Sequence, residues 1–172
     1  MKTLKTVASA LVLAFGVAAM AAQNTGPASW PNAYRAPDGT IWSDVFPSMY
    51  PNCISRKDAQ GKPIDDGIYG CQTDSNGNLL GTSSDGLTVL DSDAVQACKA
   101  IGGELPTLQD FVNLGDHYKD LPDMYYFKYW TSSVAFEASA QYFVGEFGGV
   151  GHYARFEYTS VRCVSRAKGD QI

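Results

Sequence analysis

The clearest hydrophobic periodicity lies between residues 92 and 115. Ala94, Cys98 and Ile101 recur at helical spacing behind Ser92, a good N-cap, which predicts a helix over about 93–101 with the Cys98 sulfur on its buried face. Gly102-Gly103 ends it, and Thr107 caps a second helix, with Asp110 three residues on in a capping-box-like position. Leu108, Phe111, Val112 and Gly115 are its predicted inner face. Further on, alternation replaces helical spacing and predicts strands over 129–133, 140–144, 153–158 and 160–165, their connections short enough for antiparallel neighbours. The glycine-rich stretch 145–153 reads as a hairpin tip between two of them. Upstream, Thr40 to Phe46 reads as a first strand after an Asp38-Gly39 turn. Asn76-Gly77 marks a hairpin between 67–73 and 79–82, because both residues tolerate positive φ. The expected class is α+β: two short helices followed by a small twisted antiparallel sheet.

The N-terminus changes the picture of where this domain works. Met1 to Lys5 is short and basic, Val7 to Met20 is apolar, and Ala19-Met20-Ala21 offers the small residues a signal peptidase needs. The expectation is a signal peptide over 1–21, a flexible lead-in over 22–38 and one domain over 39–168. The apolar run is short for a bilayer span, which takes roughly 20 residues, so an exported chain with no membrane span is expected in the periplasm, at the cell surface or outside. The formal net charge of −5 becomes more negative once Lys2 and Lys5 leave with the signal. Such a chain has no overall electrostatic reason to bind nucleic acid. Ten Tyr, eight Phe and three Trp beside 17 Gly suit short strands and loops that carry aromatic contacts.

Cys53, Cys71, Cys98 and Cys163 all fall in the exported part, where an even count reads as two disulfides with three connectivities. The favoured pairing is Cys53–Cys71, closing a local loop, with Cys98–Cys163 spanning the C-terminal half. A zinc site lacks a C-x-x-C pair and has only His117 and His152 to draw on, so no metal or cofactor is expected. Asp74, Asn76, Asn78 and Asp85 have the spacing of oxygen ligands in a calcium loop, but position 6 is Leu79 instead of Gly, and Asn-Gly already explains a turn. Catalysis finds little support. Gly81 to Gly86 does not match a nucleophile elbow, and Glu146 with His152 is the one candidate acid–base pair, in a glycine-rich loop.

The ordered set Trp42-Ser43-Asp44, Ala94…Cys98, Gly102-Gly103-Glu104-Leu105-Pro106-Thr107, Tyr129-Trp130-Thr131-Ser132 and Val161-Arg162-Cys163-Val164 resembles the bacterial Lcl C-terminal domain family. That family is named after the C-terminal domain of a collagen-like adhesin, and the resemblance covers roughly 39–166. It implies a C-type lectin-like fold and the Cys98–Cys163 bridge. Family members usually carry Trp-Arg or Arg before Leu-Pro-Thr, where this chain has Glu104, and the adhesin members have basic ligand surfaces where this chain is acidic. The triplets by which true C-type lectins hold calcium and sugar are absent from the sequence.

Amphipathic rings in loops are the usual material of recognition surfaces. Phe127 and Trp130 are expected in the core, whereas Tyr125, Tyr126, Glu146, Phe147, His152 and Tyr153 fall in loops or strand ends and form the candidate ligand surface. The expected function is that of a non-enzymatic binding module, an adhesin or envelope-associated recognition domain for a glycan or surface protein. Two alternatives stay open: a structural envelope subunit whose rings form a homo-oligomer, such as a trimer, and an enzyme on a scaffold like that of the formylglycine-generating oxidases.

Overall fold

The structure, a computed structural model, describes residues 30–67, 70–124, 127–136 and 138–166. The expected signal peptide lies outside them, as do Ile68 and Tyr69 of an expected strand. In chain order the elements are β1 (Tyr34–Arg35), β2 (Ile41–Trp42), β3 (Tyr50–Pro51), α1 (Asp93–Ala100), α2 (Leu108–Leu114), β4 (Lys128–Phe136), β5 (Ser139–Val144), β6 (Gly149–Ala154), β7 (Tyr158–Thr159) and β8 (Val164–Ser165), with a 3-10 turn over Gly115–Asp120.

Both helices start at their predicted caps. The Ser92 hydroxyl accepts the Val95 N–H at 3.0 Å, and Thr107 with Asp110 forms a reciprocal capping box in which the carboxylate takes the Thr107 N–H at 2.7 Å. Together they satisfy amides that helix geometry would leave without partners. Phe111 and Leu114 face inward from α2, whereas Val112 stands in solvent, one position and about 100° around the helix from Phe111.

The strands make three small antiparallel sheets, ordered β1-β2-β8, β3-β7 and β4-β5-β6. Four expectations change. The lead-in is structured from Trp30 onward: that side chain is buried in the core with its indole N–H on the Ile101 carbonyl at 2.8 Å, and 34–35 pair with β2. The strand expected over 40–46 shrinks to Ile41–Trp42, after which Ser43 and Phe46 reach the Cys163 and Val161 carbonyls individually. The hairpin tip expected over 145–153 is only a turn at 145–148; from Gly149 the chain is already β6, paired residue for residue with β5 up to Ala154. There a turn, closed by the Glu157 N–H on the Ala154 carbonyl at 3.0 Å, breaks the strand expected over 153–158.

The β4-β5-β6 sheet separates two apolar clusters. Trp130 and Ala140 point to one side, with Ala94, Cys98, Val161 and Cys163. Tyr129 and Phe143 point to the other, where Phe111 stacks on Phe143 at 4.6 Å between ring centroids. This is the alternation of a strand packed on both faces. Cys53 bonds Cys71, and Cys98 bonds Cys163, tying α1 to the residue that enters β8; all four cysteines are paired. The domain is therefore a small α+β unit with two helices, several antiparallel sheets and two disulfides. The disulfides are compatible with an oxidising, extracytoplasmic compartment, and no helix among the described residues is long and apolar enough to cross a membrane.

Two arginines are wholly buried without a carboxylate partner among the described residues. Arg162 gives hydrogen bonds to the Ser43 and Pro122 carbonyls and lies 5.6 Å from the centre of the Tyr129 ring. Arg155 bonds the Asn52 carbonyl at 2.7 Å and the Thr82 hydroxyl at 2.6 Å. Desolvation lowers both guanidinium pKa values, that of Arg155 to about 10. Tyr129, whose hydroxyl donates to the Asp123 carbonyl at 2.9 Å, is pushed up to about 12, chiefly by burial. A pKa raised on folding stabilises fully below the unfolded value and is lost as pH rises through the folded one. Tyr129 is therefore expected to withdraw about 2–3 kcal/mol of stability between pH 10 and 12. Urea unfolding across that window should show the loss, and Tyr129→Phe should flatten it; an unchanged slope in that variant would assign the loss to other groups.

Candidate functional site

Of the six candidate ligand residues, Phe147 and Tyr153 come together on one face of the terminal sheet. The link is Tyr142, on the central strand β5. Its ring lies across Gly151 of the neighbouring strand, so that a Cβ there would sit 2.4 Å from the tyrosine hydroxyl oxygen. Phe147 covers Gly149 in the same way, with its ring edge 2.2 Å from where a Cβ would be. Tyr153, two residues beyond Gly151, packs on Tyr142 with ring centroids 4.5 Å apart and planes tilted by 31°. The glycines thus replace two side chains with borrowed rings, and Phe147, Tyr142 and Tyr153 form a row along β6. Gly149 and Gly151 are two residues apart, so the first two rings are offset by roughly 7 Å along the strand.

Lys128 of β4 shares that face. Its ammonium sits 4.6 Å from the Tyr153 ring centre and 5.4 Å from that of Tyr142, and donates to the Tyr153 hydroxyl. That hydrogen bond raises the lysine pKa, which keeps the group charged beside two π-faces. Phe147 is 69 % exposed, while Tyr142, Tyr153 and Lys128 are half-buried. The arrangement offers stacking surfaces, hydroxyls and one fixed cation.

The remaining candidates are placed differently. His152 projects from the opposite face of β6, its ring 4.9 Å from Phe136, while Glu146, the other member of the candidate acid–base pair, sits exposed in the turn. Tyr125 and Tyr126 lie outside the described residues. The segment around them does meet the hairpin, since the Gly145 N–H donates to the Phe127 carbonyl at 3.1 Å. Phe127, expected in the core, is 40 % exposed.

Sequence reasoning missed Tyr142 and Lys128. The signal was present in Gly149-x-Gly151-x-Tyr153, a strand with two bare positions on one face, which needs rings from its neighbour to cover it.

The suspected calcium loop is a pair of turns closed by their own carboxylates. Asp74 accepts the N–H groups of Asn76 at 2.8 Å and Asn78 at 2.9 Å, and Asp85 accepts the Leu87 N–H and the Ser83 hydroxyl. Those bonds, led by Asn78 and Ser83 respectively, hold both carboxyls below the usual range. No group of three or more His, Cys, Asp or Glu that could hold a metal occurs among the described residues. An open groove of about 700 Å³ runs beside these turns, lined by Asp74, Asn78, Leu79, Thr82, Ser83 and Ala138. None of the ring-row residues lines it.

Fold and site together define a small disulfide-stapled α+β domain that displays a row of aromatic rings and a lysine on its terminal sheet. No family model matches the chain, and neither a curated protein nor a solved structure does.

Proposed function

We propose that this protein is an exported, non-enzymatic recognition module that binds a glycan or a surface protein through the face made by Phe147, Tyr142, Tyr153 and Lys128. The observation that carries the reading is the ring row itself, three aromatic side chains laid along one strand with an ammonium fixed among them. Sugar rings and protein side chains both gain from stacking on such surfaces, and the lysine adds direction through hydrogen bonding. The ordered motifs that resemble Lcl C-terminal domains support the same class, an adhesin-like domain of C-type lectin-like fold, and the apolar N-terminus supports export.

The test is a glycan and surface-protein array probed with the purified chain. Phe147→Ala is expected to leave thermal stability nearly unchanged, because the ring is exposed, while weakening binding to any ligand found by about 1–3 kcal/mol. Tyr153→Phe keeps the ring and removes the hydroxyl that holds Lys128, so it should weaken binding less than Tyr153→Ala. An array without hits, or hits indifferent to Phe147→Ala and Tyr153→Ala, would sink the proposal.

A further inference from the structure

The three-stranded sheet treats its two edges differently. On the β4 side, the Val134 N–H donates to the Leu87 carbonyl at 2.9 Å, and Tyr129 bridges to Ser160. On the β6 side, no strand among the described residues pairs with the chain. β6 also lacks the usual protections of an exposed edge: it has no proline and no lysine, and its six residues run in unbroken register with β5.

The register shows which backbone groups turn toward β5 and which turn away from it. The Arg155 N–H donates to the Ala138 carbonyl at 2.8 Å, continuing the register in which Ala154 faces Ser139. Hydrogen-bonded pairs alternate along an antiparallel ladder, so Tyr153, Gly151 and Gly149 turn their N–H and C=O groups toward β5. Val150 and His152 then turn theirs outward. Apolar side chains flank this edge on both faces, with Phe147 69 %, Phe136 56 % and Val150 50 % exposed.

We propose that β6 is a homodimerisation edge, pairing antiparallel with the β6 of a second copy about a two-fold axis at Gly151. The edge is self-complementary: Val150 of each copy meets His152 of the other, so the outward N–H and C=O groups find partners in the same two residues. Gly151 faces its own counterpart in the closely spaced pair, where a side chain would crowd. Charge selects the same occupant. The chain carries a net charge of −5, but β6 contains no acidic residue, and Glu146 and Glu157 lie beyond its ends. Two acidic copies can therefore approach along this strand without opposing carboxylates. A two-fold axis perpendicular to the sheet keeps the faces matched, so the ring rows of both copies lie side by side on one continuous six-stranded surface. That consequence for binding rests on the recognition role proposed above; the dimer itself does not.

Sedimentation equilibrium of the purified chain across the micromolar range is expected to give a dimer. Val150→Lys and His152→Lys, each placing a charge on the edge, should yield monomers with an unchanged near-ultraviolet circular dichroism spectrum. Val112→Lys, at an exposed apolar position on α2, should remain dimeric. A monomeric wild type, an assembly insensitive to both edge lysines, or equal dissociation by Val112→Lys would overturn the assignment. On an immobilised ligand array, the monomeric Val150→Lys variant should bind about 10–100-fold more weakly than wild type through lost bivalency. A dimer that finds no ligand sinks the recognition role and leaves the edge pairing standing, while a monomer that binds does the reverse.

Discussion

Replacing Cys98 and Cys163 together by Ala is expected to lower the unfolding free energy by about 4 kcal/mol, against about 3 for the Cys53 and Cys71 pair. The difference follows from the closed loops, 65 and 18 residues of sequence separation, because a longer loop left open adds more freedom to the unfolded chain. Location widens the gap. Both sulfur atoms of the longer bridge lie fully inside the larger core, against Val161, Trp130 and Trp30, so their removal also leaves unfilled volume. The bridge fastens α1 to a segment that closes the domain: the Glu104 and Val164 backbones exchange hydrogen bonds at 2.8 and 2.9 Å, and the Cys163 N–H donates to the Ser43 hydroxyl at 2.9 Å. Small domains hold only about 5–15 kcal/mol in total, so the Cys98/Cys163 variant should be partly unfolded near physiological temperature while the Cys53/Cys71 variant stays folded. Urea titrations of the two double variants under non-reducing conditions would decide it. A larger loss from the Cys53/Cys71 variant would mean that the loop and not the core governs stability.

The parts of this fold that were legible in the sequence are those set by local chemistry. Ser92, Thr107 and Asp110 announce the helix starts because capping involves residues three positions apart, and Asn76-Gly77 announces a turn because Gly77 must take a φ of 86°. Cysteine spacing favoured the pairing that forms. What was not legible depends on distant partners. β2 is a two-residue strand whose partner β8 arrives from the far end of the chain, and Trp30 joins the core among residues that lie more than 50 positions later, with its indole N–H on the Ile101 carbonyl. The course of the terminal hairpin was hidden for the same reason. Glycines at 149 and 151 look like a flexible tip when read alone; paired with β5 they are strand positions occupied by the rings of Phe147 and Tyr142. The two buried arginines were equally hidden, since nothing in Arg155 or Arg162 as residue types announces that carbonyls will replace water around them.

Gly145→Ala is expected to be the most damaging small substitution in the domain, costing at least about 3 kcal/mol and removing the ring row with it. A Cβ at this position would lie 1.5 Å from the Met124 carbonyl oxygen and 2.5 Å from its carbonyl carbon. Those atoms are backbone, and Met124 is itself buried, so no side-chain rotation relieves the overlap. The hairpin must lift away from Met124 and give up the Gly145 N–H bond to the Phe127 carbonyl. Because the turn at 145–148 carries Phe147 and leads directly into β6, the same movement shifts the ring-bearing hairpin away from Lys128 of β4, which contacts Tyr142 and Tyr153. Gly39→Ala is the control: no atom of the described residues lies within 4 Å of a Cβ there, and its φ of +86° predicts a cost of only about 1–2 kcal/mol. Thermal unfolding of the two variants should differ accordingly. If Gly145→Ala melts like the control, the close approach of the two segments is wrong, and so is the placement of the ring row that depends on it.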